Sequence, residues 1–203
     1  MASKKHAAAV GILLIVALSL FGCASSNEYM KPSVQEGAAP VAGDNESVVV
    51  FMRPSGDGPV IKTSSSVFDI SDKDESFLGI VSAKKKVVCR TTPGEHVFMV
   101  IGESADFMKA SLQAGKTYYV LVVQRMGGWK ARFSLKPVTK NELISRQFKT
   151  WYADCELTEN TPGAFQWAKD NAESIRSKRT EYWKKWNERS EADKPTLNPD
   201  DCL

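Results

Sequence analysis

Apolar runs broken by turn residues dominate the middle of the chain. Val48-Val49-Val50-Phe51-Met52 is closed by Arg53-Pro54-Ser55-Gly56, and Val60–Ile70, Phe77–Val81 and Val87–Thr91 follow between Gly, Asp and Lys clusters. Pro93-Gly94 opens Glu95–Ile101, and Met108–Leu112 alternates apolar with polar positions. Gln113-Ala114-Gly115 then turns into the continuously apolar Tyr118–Val123, and Met126-Gly127-Gly128 into the alternating Trp129–Leu135. Short runs at this turn spacing predict strands. Seven or eight of them, with no helical segment between, predict an antiparallel β-sandwich over 46–138.

The period changes after residue 138. Thr139-Lys140-Asn141-Glu142 has the spacing of a capping box. Leu143, Ile144, Gln147, Phe148, Trp151 and Tyr152 continue it as a mostly apolar stripe, which predicts a helix of about three turns. Pro162-Gly163 precedes a longer helix from Ala164 to about Ala192, ~43 Å at 1.5 Å per residue. Its seam runs Phe165, Ala168, Ala172, Ile175, Arg179, Tyr182 and Trp186, with one charged interruption at Arg179. The segment 139–203 thus reads as a helical C-terminal extension. Two readings of the long helix stay open. Its N-terminal half packs on the sheet or on the shorter helix, or Tyr182, Trp183 and Trp186 stand free as partner-contact candidates for a protein groove, a lipid headgroup layer or a glycan.

At the other end, Lys4 and Lys5 precede an apolar run from Ala7 to Gly22, 16 residues long and shorter than the ~20 a helix needs to cross a bilayer. That is the anatomy of a signal peptide, expected over 1–22. Leu20-Phe21-Gly22-Cys23 resembles the bacterial lipobox, with a branched apolar residue at −3, a small one at −1 and cysteine at +1. The resemblance implies that the Cys23 sulfur carries diacylglycerol and that cleavage frees its amine. Ala24 and Ser25 bring no Asp retention signal, which by the same resemblance favours the outer membrane of a Gram-negative envelope. Residues 23–45, rich in Ser, Pro and Gly, then read as the lipidated cysteine and a flexible linker.

Composition adds exclusions. The 203 residues are 42% hydrophobic and 25% charged, within the globular range. Of 27 Lys and Arg against 24 Asp and Glu, residues 1–22 hold two lysines and no acid, so the remainder carries only +1. Such a balance makes no electrostatic case for nucleic acid. In the sandwich segment, Val48–Arg53 with Pro54-Ser55, Phe77-Leu78-Gly79, Pro93-Gly94-Glu95-His96 and Ala114-Gly115-Lys116-Thr117-Tyr118-Tyr119 occur in that order. Together they resemble the bacterial envelope domains grouped as the 2846 family of domains of unknown function. The resemblance implies a small β-sandwich lipoprotein module and brings no catalytic residues.

Candidate chemistry is sparse. Beyond Cys23 the cysteines are Cys89, Cys155 and Cys202. In an oxidising compartment Cys155 and Cys202 are the disulfide candidates, because ten residues from Asp193 span up to ~35 Å. That bridge would contribute about 4 kcal/mol. Cys89 reads as a buried strand thiol. His96 is the one histidine after residue 22, so a His-rich metal site is not signalled. Any Ser-His-Asp or Cys-His device has only His96 to use, and its place beside Phe98 and Val100 suits a half-buried strand position better. Ser64-Ser65-Ser66 lacks a nucleophile elbow. The acids from Asp69 to Glu75 lack the glycine of an EF-hand loop. No cofactor motif is present.

The expectation is therefore a non-enzymatic lipoprotein, held to the membrane through Cys23, with an envelope protein or glycan as partner. The alternative is an envelope hydrolase acting on peptidoglycan or glycan through His96 or the acids near Asp69.

Overall fold

The turn-punctuated runs fold as strands. The computed structural model describes residues 28–34, 39–55, 63–126 and 131–203. Its strands are β1 Met30–Pro32, β2 Ser47–Arg53, β3 Ser65–Asp69, β4 Ser76–Val81, β5 Lys85–Thr91, β6 Gly94–Ile101, β7 Ala105–Leu112, β8 Lys116–Met126, β9 Ala131–Pro137, β10 Glu156–Asn160 and β11 Thr196–Leu197. The helices are α1 Lys140–Leu143, α2 Arg146–Asp154, α3 Pro162–Asp170 and α4 Ala172–Asn187. The expected signal peptide 1–22 and Cys23, with Val60, Ile61 and Trp129, lie outside the described residues.

The strands form two sheets, a six-stranded one ordered β1-β10-β5-β2-β8-β9 and a five-stranded one ordered β11-β7-β6-β3-β4. The architecture is mainly β and sandwich-like, but the sheets are mixed rather than wholly antiparallel. β2 pairs parallel with β8, β10 with β5, and β11 with β7. The absence of helices between 46 and 138 does not forbid this. Between β2 and β8 the chain makes its excursion through the second sheet, so no helical crossover is needed.

All seven residues of β2 are buried, and they alternate between two cores. Val49 and Phe51 point between the sheets, where Phe98, Val100, Val120 and Phe133 meet them. Val48, Val50 and Met52 point outward with Tyr119 and Leu121, and Leu143 and Phe148 of α1 and α2 cover them. The second sheet repeats the arrangement. Phe68, Met99 and Phe107 on its outer face are covered by Ile175 and Trp186 of α4. Four layers result: helices, sheet, sheet, helices. Gly79 lies where a Cβ would come within 2.8 Å of Val87 Cγ1, so β4 and β5 approach each other only because that side chain is missing.

Local chemistry breaks both expected helices. The Thr139–Glu142 capping box forms. Ser145 then caps a second start by accepting from Phe148 N at 3.0 Å, which separates α1 from α2. Asn171 divides the longer helix, donating its side-chain Nδ2 back to Trp167 O at 2.8 Å. The seam from Phe165 therefore does not run on: Phe165 is 48% exposed, whereas Ile175 and Trp186 are buried. Between the helix pairs, β10 inserts beside β5, and β1 from the expected linker pairs with it.

The aromatic cluster of α4 does not stand free. Trp186 is 2% exposed, with its ring 5.9 Å from Phe107. Half-buried Trp183 packs edge-on against the same ring at 4.9 Å, and Tyr182 is also half-buried. Phe107 on the outer face of β7 requires such cover.

The expected Cys155–Cys202 bridge is likewise not formed, and both are free thiols. Cys155 lies in the core beneath α2. The tail instead buries Leu197 between the sheets and runs along β8, where Cys202 pairs with Tyr118. Leu203 N donates to Thr117 O at 2.9 Å on that flank. β9 pairs with β8 only from Val120 onward, so the tail completes the edge that β9 does not reach.

Trp186→Ala is expected to lower unfolding free energy by about 3–5 kcal/mol, the usual cost of emptying a large aromatic core position. Trp186→Phe should cost much less, because Trp186 Nε1 has no hydrogen-bond partner among the described residues to lose. Urea titration of the two variants checks the order; a loss below about 1 kcal/mol for the alanine variant contradicts a core role.

Candidate functional site

Two of the residues considered for chemistry, His96 and Asp69, meet at the loop after β3. Asp69 ends that strand, Ser71 follows it, and His96 projects from the neighbouring β6. The His96 side chain is 8% exposed and that of Asp69 13%. His96 Nδ1 lies 2.8 Å from Asp69 Oδ2 and Nε2 lies 2.9 Å from Thr92 O. The imidazole stacks on Phe98, 5.7 Å between centroids and 4° from parallel.

Both partners of the ring are acceptors, a carboxylate and a carbonyl. His96 must therefore donate from both nitrogens, which makes it an imidazolium. The direction of its pKa agrees. The hydrogen bond to Asp69 raises the His96 pKa above 6.5, against the opposing effect of burial. Burial pushes the Asp69 carboxyl up, but hydrogen bonds from His96 and Ser71 outweigh it and the net shift is downward. Cys89 is pushed up to about 12 by burial and then by the Asp69 charge, so it is a thiol and not a thiolate.

A serine, a histidine and an acid thus come together, but not in a nucleophile's order. A Ser-His-acid device needs the acid on one ring nitrogen and the hydroxyl on the other. Here Ser71 Oγ lies 3.3 Å from Nδ1, on the same side as Asp69, and Nε2 is engaged by the backbone. The Ser71 hydroxyl donates to Asp69 Oδ1 and accepts from Val97 N at 3.0 Å. The cluster straps the loop to β6. Ser64 and Ser65 are absorbed elsewhere, Ser64 Oγ meeting Ser82 Oγ at 2.8 Å and Ser65 Oγ donating to Val81 O, and Ser66 is buried.

The acid-rich loop beyond Ser71 also closes on a cation, and the cation is Arg179. Its Nη1 donates to Lys73 O and to Glu75 Oε1, each at 3.0 Å. Its Nη2 reaches Ile70 O at 3.3 Å and Asp72 O at 3.4 Å. The Glu75 side chain is 8% exposed, with Arg176 as a second, longer partner at 4.0 Å. The charged interruption in the α4 seam is the side chain that seats the helix on this loop. No group of three or more His, Cys, Asp or Glu suited to a metal ion is found among the described residues.

Two further charged anchors carried no motif. Lys86 on β5 is buried and donates to Tyr152 O at 2.9 Å and Cys155 O at 2.6 Å, at the carbonyl end of α2. Asp106 on β7, 2% exposed, pairs with Arg125 at 2.9 Å and Arg189 at 3.1 Å and accepts from Ser134 Oγ. Only the alternation of apolar and charged residues around each could have hinted at an inward charge.

The first described residues are docked at a defined place. Glu28 and Tyr29 lie on the first turn of α3, where Thr161 Oγ1 donates to Glu28 O at 2.7 Å and Thr161 N to Tyr29 O at 2.8 Å. Met30 is already buried between the sheets.

His96 provides a direct test. Its contribution to stability is fully present below pH 6.5 and is lost as pH rises through its higher folded pKa. Asp69 contributes above its ordinary 3.8 and ceases to as pH falls through its lowered value. The imidazole proton resonances, followed by NMR in protein lacking residues 1–22, should titrate with a midpoint above 6.5, and Asp69→Asn should lower it. A midpoint at or below 6.5 in the unmutated protein contradicts the imidazolium. Neither a protein-family model nor a curated protein matches this chain.

Proposed function

We propose that the chain is a lipoprotein, tethered through Cys23 to the periplasmic face of the outer membrane, whose folded part serves binding or envelope assembly rather than catalysis. The observation that carries the reading is Leu20-Phe21-Gly22-Cys23 at the end of the apolar run that follows Lys4 and Lys5. Two or three acyl chains on Cys23, at about 0.8 kcal/mol per buried methylene, hold far more firmly than the single chain that gives only marginal binding. Among the described residues no helix is long and apolar enough to cross a membrane.

The non-enzymatic half of the proposal draws on His96. Both of its ring nitrogens are engaged by acceptors, which leaves no free base nitrogen for a hydrolase built on that residue. With Glu75 paired to Arg179, the reading rests on the surface and the position of the folded part.

Cell fractionation of Cys23→Ala tests the tether. The unmutated protein is expected in the membrane pellet, with acyl mass on its N-terminal peptide. The variant is expected in the soluble fraction with an unchanged thermal midpoint. Equal sedimentation of both contradicts the reading.

A further inference from the structure

We infer that the α3 end of the molecule, with Phe165, Trp167 and Tyr29 at its surface, lies against the lipid headgroup layer of the membrane that holds the chain. The inference rests on the Cys23 tether proposed above and adds which face meets the bilayer.

The chain outside the described residues sets the first limit. A linker over 23–45 would leave the orientation of the folded part unconstrained, but the chain is already docked at Glu28 through Thr161, and Met30–Pro32 is a strand. From Cys23 to Glu28 are five residues, a reach of at most ~18 Å when fully extended. The first turn of α3 therefore stands within that distance of the acylated sulfur.

What is exposed there supplies the second observation. Phe165, on that turn, is 48% exposed, and every other aromatic side chain whose burial is described is half-buried or buried. It stands edge-on to Phe77 at 5.9 Å; Phe77 meets Trp167 at 6.0 Å, and Trp167 meets Tyr29 at 6.2 Å. Phe77, Trp167 and Tyr29 are each half-buried. Trp and Tyr rings, apolar with one polar atom, favour the water–headgroup boundary. The one exposed ring among the described residues thus sits on the helix that receives the tether, and the bilayer is the apolar phase the tether brings to it.

The test uses the acylated full-length protein, purified from membranes and reconstituted in vesicles of phosphatidylethanolamine and phosphatidylglycerol carrying a headgroup nitroxide. Tryptophan emission is expected to be quenched, with most of the quenching lost in Trp167→Phe. In Phe165→Glu it should fall several-fold while the protein still floats with the vesicles. Phe165 is half exposed, so that variant keeps its fold, which circular dichroism verifies. Vesicle-bound protein whose quenching is unchanged in both variants overturns the orientation while leaving the tether in place. Protein that carries no acyl mass and does not float overturns the tether and this inference with it.

Discussion

β2 has no wet face. A strand buried on both sides needs apolar cover above and below, and the facing sheet supplies only one of the two. The rest of the molecule answers that constraint. Val48, Val50 and Met52 call for α1 and α2, and Phe68, Met99 and Phe107 call for α4. The segment 139–203 is therefore not an accessory to a finished sandwich. Its helices are the outer layers, β10 widens one sheet, β11 extends the other, and the last residues complete the flank of β8.

Apolar cover alone does not determine where a helix sits, and here buried charges do. Lys86 holds the C-terminal carbonyls of α2 against β5. Arg179 seats α4 on the loop between β3 and β4, and Asp106 gathers Arg125 and Arg189 where β7 and β8 meet the end of α4. Asp106 is 2% exposed, so losing both arginines would leave an uncompensated charge in a dry site, typically about 3–5 kcal/mol, and that anchor disfavours a shifted helix. His96 and Asp69 do the same for the loop that receives Arg179. The polar groups that attract attention in the sequence are thus engaged in positioning, and the function proposed above draws on address and surface instead.

The strands were legible where apolar runs lay between strong turn residues, as at Pro93-Gly94 and Gln113-Ala114-Gly115. Their order was not, because hydrophobic pattern reports burial and not which sheet receives a strand; a chain that alternates between sheets makes parallel neighbours without helical crossovers. β1, β10 and β11 have three, five and two residues, too few for a period to show. Ser145 and Asn171 broke the helices through side-chain hydrogen bonds of the kind that favours caps over helix interiors, so both breaks were readable in principle. Arg179 looked like a flaw in an apolar seam, because its partners lie about a hundred residues upstream. Cys155 and Cys202 seemed close by chain reach, yet reach only permits a contact, and burial of Leu197 carried the tail to β8. Of the site, His96 as a strand residue was legible, but its pairing with Asp69 depends on the β3–β6 register.

Native-state hydrogen exchange tests most directly whether the helices are obligatory covers. Amides of α2 and α4 should then exchange only through the opening that exposes β2, with the same free energy and the same denaturant dependence. Exchange of either helix through a lower-energy opening, while β2 remains protected, would make the sandwich self-sufficient and contradict the four-layer constraint.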